Sequence, residues 1–457
     1  AFRGNKKGYR LSELSASFDT QDLELDGTGQ FDLVQTSLAG QFEFTARTGS
    51  IQSLADTFGR QLPIDATAIG RGMLTCANNR CSVEIENVAI NSPLLEISAA
   101  GRVDSLDEQP QLALKFKGNT EDIAALVQAW DRQWSVPPHL GTSVTGWLDI
   151  DGNDTRLSGL VGQISGDGLS GRFTGSLINL LHDPRPTWDL NLDVTELGRL
   201  IEFYGGPGDY HESAQIKLQV RPSNNEALPL MFQGEILTNS LAAQLAGELE
   251  TFAVNAGFSA SFVVTAEGPH ELRQITGVGL PPTGRLRATG QVLRETDSHE
   301  STRGSVNLQS EKLGQLMAEG VLGEQWKSGS QLELKYEVDR LSKASALLQF
   351  YLPEDVHLTL QGDEPLQAQA IVRTDGETLQ VTELKVKSGR NDISGEISYP
   401  LNVADSNRQK IDGRLASEYL NLNDLFPKKE KKYLFGEELI PLTWADRYDV
   451  DLEYSAG

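Results

Sequence analysis

The stretch "DISGEISYPL", residues 392–401, sets a small residue, a glycine, a polar residue and an apolar one in a row, as Ser394-Gly395-Glu396-Ile397. Close copies recur along the chain: "TGQF" at Thr28–Phe31, "AGQF" at Ala39–Phe42, "AGRV" at Ala100–Val103, "SGRF" at Ser170–Phe173, "AGEL" at Ala246–Leu249 and "TGQV" at Thr289–Val292. After each comes a turn, then a strongly alternating segment. "QLALKFKG" puts Leu112, Leu114 and Phe116 in step, and "TWDLNLDV" does the same for Trp188, Leu190, Leu192 and Val194. "FSASFVVTAEG" repeats it with Phe258, Ala260, Phe262 and Val264. Period-two alternation marks strands with one apolar and one polar face.

Working outward, each strand pair closes on two apolar residues three apart: Ile51/Leu54, Ile123/Leu126, Leu197/Leu200, Leu272/Ile275, Leu313/Leu316 and Leu422/Leu425. That spacing predicts a turn or two of helix at each. Counted from Gly29, Gly101, Gly171, Gly247, Gly290 and Gly395, the first of each pair lies 22, 22, 26, 25, 23 and 27 residues on. The regularity points to an internal repeat of hairpin plus short helix, with "QLELKYEVDRLSKASALLQFYL" (331–352) ending a further unit. A glycine at one place per unit lets a sheet coil without side-chain clashes. A hairpin with one apolar face cannot bury it alone, so neighbouring units must share one apolar surface. The fold class expected is therefore mainly β: an elongated, curved antiparallel sheet of repeated hairpins forming an open apolar groove, with short amphipathic helices between units. The array is read as continuous and divides for description into 1–140, 141–285 and 286–457. "RPSNNEALP" (221–229) and "VGLPPTGR" (278–285) are expected as loops between units, and "PKKEKK" (427–432) as a local basic run.

A chain of 457 residues with a net charge of −24 lacks the clustered Lys and Arg that nucleic acid requires. No apolar run approaches the length of a membrane-spanning helix, and no signal peptide is visible. The start at Ala1 and the strand-like "DVDLEYSAG" at the end suggest a piece of a longer protein. Cys76 and Cys81 flank Asn78-Asn79, a turn signal between two strand-like runs. A disulfide across that hairpin and a pair of free thiols in a reducing compartment are the two readings. Zinc would need further ligands, and no histidine is near.

Other candidate chemistry has plainer readings. "GDGLSG" (Gly166–Gly171) matches a dinucleotide glycine pattern but precedes a strand-like segment, so a glycine-rich hairpin is expected. "DIDGND" (Asp149–Asp154) resembles the start of a calcium loop, yet Leu160 occupies the twelfth position where Glu is needed, leaving an Asp-Gly turn. The six histidines are scattered, and no nucleophile elbow is present. No catalytic residue, metal site or cofactor is expected, and the many carboxylates suit the solvated faces of strands. The apolar stripe itself has two readings: a core covered by another layer, or an open surface that holds something greasy.

Residues 379–450 carry a resemblance. "LQVTELKVKSGRNDISGEISYPL", "GRLASEYLNLNDLF" and "ELIPLTWADRYDVDLEYSAG" resemble the successive strand motifs of the AsmA-like family of bacterial envelope proteins, related to TamB-like and YhdP-like proteins. Asn421 stands where that family usually has Asp, and Thr443-Trp444 alters its "PLPL" neighbourhood. In residues 10–350 the similarity extends as degenerate repeats, best in "GRFTGSLINLLHDPRPTWDLNLDVTELGRLIEF".

The resemblance implies an N-terminal inner-membrane helix before this stretch and a periplasmic β-groove whose apolar inside carries phospholipid acyl chains between the two membranes. A periplasmic setting would suit a Cys76–Cys81 disulfide. The lining expected is Val103, Leu112, Leu114 and Phe116; Phe173, Leu190, Leu192 and Val194; Leu249, Phe258, Phe262, Val264 and Val292; and Leu332, Leu334, Tyr336 and Ile397. The partners expected are phospholipids, the inner and outer membranes through segments outside this stretch, and envelope proteins at the ends. The function expected is non-enzymatic lipid transfer supporting outer-membrane biogenesis. A chaperone-like scaffold that offers its sheet edge to outer-membrane proteins is the alternative.

Overall fold

The structure is a computed structural model that describes residues 2–5, 8–20, 22–34, 37–57, 64–106, 111–130, 137, 139–151, 154–179, 185–203, 208–251, 256–276, 284–295, 301–323, 329–351, 360, 362–401, 409–421 and 448–456. Strand takes 70% of the residues and helix 9%, so the fold is mainly β. The chain divides into two compact units. The first comprises residues 1–195, 213–232 and 252–254; the second comprises residues 196–212, 233–251 and 255–457.

The elements follow a strict order of four strands and a helix. The first set is β1 (Phe2–Asn5), β2 (Gly8–Asp19), β3 (Glu24–Val34), β4 (Ser37–Thr48) and α1 (Ile51–Thr57). The second is β5 (Thr67–Ala77), β6 (Arg80–Asn91), β7 (Glu96–Asp104), β8 (Gln111–Thr120) and α2 (Ile123–Trp130). The third is β9 (Gly141–Asp151), β10 (Asp154–Gly166), β11 (Leu169–Ile178), β12 (Arg185–Val194) and α3 (Leu197–Phe203). The fourth is β13 (Ala214–Pro222), β14 (Leu230–Leu237), β15 (Leu241–Leu249), β16 (Phe258–Ala266) and α4 (Pro269–Thr276). The fifth is β17 (Leu286–Arg294), β18 (Ser301–Ser310), β19 (Gly314–Gly323), β20 (Ser330–Val338) and α5 (Leu341–Tyr351). Then come β21 (Leu366–Thr374), β22 (Thr378–Ser388), β23 (Asn391–Pro400), β24 (Gln409–Ser417) and β25 (Tyr448–Ala456). The helices start at residues 51, 123, 197, 269 and 341, intervals of 72, 74, 72 and 72.

This corrects the unit expected from sequence. The repeat is four strands and a helix, not one hairpin and a helix. The Leu313/Leu316 helix does not form: Leu313 lies in a tight turn closed by Gly314 at φ 82°, and Leu316 is a β19 residue facing Leu308 and Tyr336. The helix of that unit is α5 instead. Residues 223–229 join β13 to β14 inside a set rather than between sets. Leu422/Leu425 and the 427–432 run lie outside the described residues.

Four of the five described helix starts are tied to the segment just before the next strand. The first helical N–H bonds the carbonyl of Ala66 for α1, Leu140 for α2, Glu212 for α3 and Glu364 for α5, at 2.8–3.0 Å. These bonds satisfy one of the orphan donors at a helix N-terminus. α4 begins with Pro269, which has no N–H to give. Asp122 caps α2 by accepting from the Ala124 and Ala125 N–H groups, and Ser50 caps α1 through the Ser53 N–H.

In the first unit, strands that are neighbours in sequence pair antiparallel from β1 through β13. In the second unit they do so from β15 through β24. β25 then joins β24 in parallel. Both sheets are curved and unclosed. The second strand of a set carries a bulge in β2, β6, β10 and β22, which increases local twist. The recurring glycine sits mostly on the third strand, opposite a large residue of the fourth: Gly29 faces Phe42, Gly101 faces Leu114, Gly171 faces Leu192 and Gly395 faces Leu415. A Cβ at Gly101 would collide with the Ala113 carbonyl oxygen. Gly395 adds a φ of 153° to the same collision, with Arg414. The glycine therefore marks a close backbone approach in mid-unit, where the sheet bends.

Two clusters of full burial lie where helices meet strand ends. Val338, Leu341, Ala344 and Leu366 form one such cluster, with Tyr336, Leu360 and Val386 packed against it. Leu241, Ala243 and Ala266 form another.

Candidate functional site

The site is the apolar face between those ends. β8 illustrates its origin: Gln111, Ala113, Lys115 and Lys117 are exposed, while Leu112, Leu114 and Phe116 are half-buried. Strand register then lines the apolar residues up across neighbours. In the first unit Phe42, Leu74, Val83, Val103, Leu112 and Ile150 stand opposite one another from β4 to β9. Beside them run Phe44, Gly72, Ile85, Gly101, Leu114 and Leu148. Phe116 faces Ala99 and Gly146 in the next row. From β4 to β9 this face is built from Phe, Leu, Ile, Val, Ala, Gly, Cys and Thr, with no ionisable side chain. Further along, Phe173 faces Leu190, which faces Leu218; Leu192 faces Ile216; and Val194 faces Ala214.

The second unit repeats the arrangement. Leu245, Phe262, Gly290, Val306, Ala318, Leu334 and Ala370 form one row. Leu332, Val372, Val381 and Ile397 belong to another. Leu249 faces Phe258, Val264 faces Ala243 and Ala288, and Val292 faces Ala260. Tyr336 stands between Leu316 and Ala368.

All seventeen residues expected to line a groove thus lie in apolar rows of one unit or the other. Val194 is buried, at 4% exposure, and the other sixteen are half-buried. Leu74, Val83, Leu148 and Ile150 share the first unit's rows without having been singled out. The alternation around Leu74 is blurred in sequence by Gly70 and Gly72, which occupy apolar-face positions with no side chain.

No second layer covers this face among the described elements. The substantial contacts of each strand are with its ladder neighbours, apart from α4 on β16 and α5 on β20. The half-burial of the wall thus comes from neighbouring strands of the same sheet. The wall is also smooth. The Phe42, Phe116, Phe173 and Phe262 rings lie across glycines of adjacent strands: Gly27 and Gly29, Gly146, Gly162 and Gly290. An aromatic over a glycine fills the missing side-chain volume.

The opposite face is charged. Arg10 pairs with Asp32 at 2.6 Å, Arg221 with Asp189 at 2.7 Å and Lys335 with Glu333 at 2.7 Å. Such exposed pairs contribute little stability and keep that face in water. The Arg10 guanidinium, hydrogen-bonded to Asp32, holds that carboxyl below its ordinary value.

Cys76 and Cys81 are joined by a disulfide. They face each other across the β5–β6 hairpin, with a Cα–Cα distance of 4.1 Å, suited to a non-hydrogen-bonded pair. Asn78 and Asn79 form the turn with φ of 53° and 65°, the mirror-image geometry Asn tolerates. The Asn79 side-chain oxygen accepts from the Leu38 N–H at 2.7 Å, docking the hairpin tip on β4.

"GDGLSG" is a hairpin: Gly166 faces Leu169 around Asp167-Gly168, and Gly168 has φ 75°. Asp151 faces Asp154 around residues 152–153, which lie outside the described residues. Among the described residues no group of three His, Cys, Asp or Glu could hold a metal ion. A buried polar cluster sits outside the wall, where the Tyr210 hydroxyl meets Thr238 Oγ1 at 2.6 Å and donates to Glu212 Oε2 at 3.2 Å. It fixes the segment after α3 to the β14–β15 turn. No described helix is long and apolar enough to cross a membrane.

No protein-family model matches the chain, and no curated protein matches it.

Proposed function

We propose that the apolar wall holds the acyl chains of phospholipids, and that this chain is the periplasmic part of an AsmA-like, inner-membrane-anchored bacterial protein. It passes lipid between inner and outer membranes and so supports outer-membrane biogenesis. The observation that carries the reading is an apolar face in each unit, half-buried within its own sheet, with no second layer among the described elements. An apolar face of that extent on a folded chain marks an interaction surface. Acyl chains laid on it leave water at roughly 0.8 kcal/mol per buried CH₂, while headgroups stay at the open side. A smooth wall reads chain length poorly, so the conduit accepts lipids of many lengths. The role is non-enzymatic: binding and transfer without a chemical step.

Native mass spectrometry of the purified chain, with extraction of co-purifying lipid, tests this. More than one phospholipid per chain is expected. Phe116→Asp, Leu192→Asp and Phe262→Asp should each lower lipid occupancy while strand content in circular dichroism is kept. A lipid-free chain that also fails to take up fluorescent phospholipid would sink the reading.

A further inference from the structure

The wall is one face of the first unit's sheet, and the other face carries a hollow. It lies across β9 to β12, with a volume of about 980 Å³, within the size range of ligand sites. The hollow is lined by described residues throughout. In register, Ser143 faces Gln163, Gln163 faces Arg172 and Arg172 faces Asn191. In the next row Ser165 faces Ser170, which faces Asp193. Ile164, Gly171 and Leu192 alternate with these positions and belong to the wall side, so the polar side chains stand on the outer face. Ser143 is half-buried and the other six are exposed.

These groups are uncommitted. Among the described residues, none of the seven side chains has a hydrogen-bond or ion-pair partner. Elsewhere on the outer face comparable groups close on each other: Gln219 donates to Asp189 at 2.9 Å and Gln111 to Asp151 at 3.2 Å, each across a register pair. The hollow keeps an open set of amides, hydroxyls, a guanidinium and a carboxylate that together both donate and accept. Its titratable groups are Arg172 and His139 against Glu121 and Asp193, so neither sign of charge dominates. Further along the outer side of β9, four residues from Ser143 and roughly 13 Å away at strand rise, Trp147 is 46% exposed, with Lys115 5.9 Å from its ring centroid. An indole left in water offers a flat apolar surface beside a polar one.

We propose that this outer face binds an uncharged glycan chain: the hollow takes the hydroxyls of its sugar rings, and Trp147 stacks on the C–H face of a further ring. A sugar hydroxyl both donates and accepts, so vicinal hydroxyls match the mixed set that lines the hollow. An anion would be opposed by Asp193 and Glu121, and a cation by Arg172. The site lies on the face opposite the apolar wall and does not rest on the acyl-chain reading.

The test is titration of the purified chain with maltohexaose, cellohexaose and chitohexaose, three uncharged oligosaccharides, read by calorimetry and by native mass spectrometry. At least one should bind. Asn191→Ala and Gln163→Ala should each weaken that binding by about tenfold, the scale of one hydrogen-bonding group, and Trp147→Ala should weaken it at least as much. Gln219→Ala, on the same face but outside the hollow, should leave it unchanged. All four are surface changes, and unaltered circular dichroism confirms that each variant folds. No binding of any of the three sugars overturns the proposal, as does equal affinity in wild type, Asn191→Ala and Gln163→Ala. Displacement of bound sugar by millimolar inorganic phosphate would make the hollow an anion site and overturn it as well. Phospholipid uptake by the same variants should match the wild type, so a failure of the glycan site and a failure of the acyl-chain reading are told apart.

Discussion

The helix-capped strand ends and the open wall are made of the same residue types, yet they do different work. At the capped end of β20, Val338 and Leu341 are 4% and 3% exposed, and Ala344 is 1% exposed. A few positions along the same strand, Leu332 and Leu334 alternate in the same way and are only half-buried. One region is a core that holds the fold; the other is a surface of core composition that no second layer covers among the described elements. Burial depth, not residue type, separates the two.

The sharpest way to break that comparison is to truncate one residue in each region. Leu341→Ala removes a buried side chain from the α5 cluster and should cost about 2–4 kcal/mol, read by urea unfolding. Phe262→Ala, on the wall, should cost less than half as much, because its ring is already half in water. Equal costs would mean that the wall is covered, and the conduit reading would lose its main support.

A glycine pair tests whether curvature, not packing, shapes the wall. Gly101→Val drives a side chain into the Ala113 carbonyl oxygen and should cost about 2 kcal/mol through forced backbone shifts. Gly118→Ala on the neighbouring strand meets only the Val144 methyl at 3.4 Å and the edge of two further groups, so its effect should stay within about 0.5 kcal/mol. Comparable losses would remove the close-approach account of the recurring glycine.

The β5–β6 hairpin, like Val220 and Leu230 on β13 and β14, is buried away from the helices and sharpens the contrast. Its turn lies at the strand ends away from α1 and α2, where no helix caps, and yet Cys76 is 4% exposed. The disulfide and the docked Asn79 do there what a helix does elsewhere. The Cys76→Ser/Cys81→Ser double variant should lose about 2 kcal/mol, near the entropy of closing so short a loop, and the loss should be equalled by adding reductant to the wild type. If reduction changes nothing, the docked turn alone holds that end.

Much of this was legible in the sequence, and the misreadings have physical causes. Period-two alternation placed every expected lining residue on an apolar row, because side-chain direction in a strand follows directly from spacing. The four-strand period was also present: Ile51, Ile123 and Leu197 begin their helices 72 and 74 residues apart. Counting from the glycine hid it, since "TGQV" at Gly290 belongs to β17, the first strand of its set, while Gly395 belongs to the third. Leu313/Leu316 imitated a helix because a three-residue interval spanning a tight turn looks identical to one helical turn. α5 falls in 331–352, the stretch expected to end a further unit.

Tyr336 tests the boundary itself. It lies on the wall by register but packs against the α5 cluster. Its hydroxyl is buried without a hydrogen-bond partner, and burial pushes the phenol up to about 12. The ordinary phenol value is about 10. Below pH 10 the phenol is neutral in folded and unfolded chains alike, and its contribution to stability is fully present. Between roughly pH 10 and 12 the unfolded chain gives up the proton while the folded one keeps it, so stability falls as pH rises. Tyr336→Phe deletes the unpaired hydroxyl and leaves the ring, so it should be neutral or stabilising by up to about 1 kcal/mol at pH 7. Urea unfolding at pH 8 and pH 11 should show a smaller loss for Tyr336→Phe than for the wild type. The same loss in both would mean that the hydroxyl reaches water through the open wall, moving Tyr336 from the core side of the boundary to the groove side.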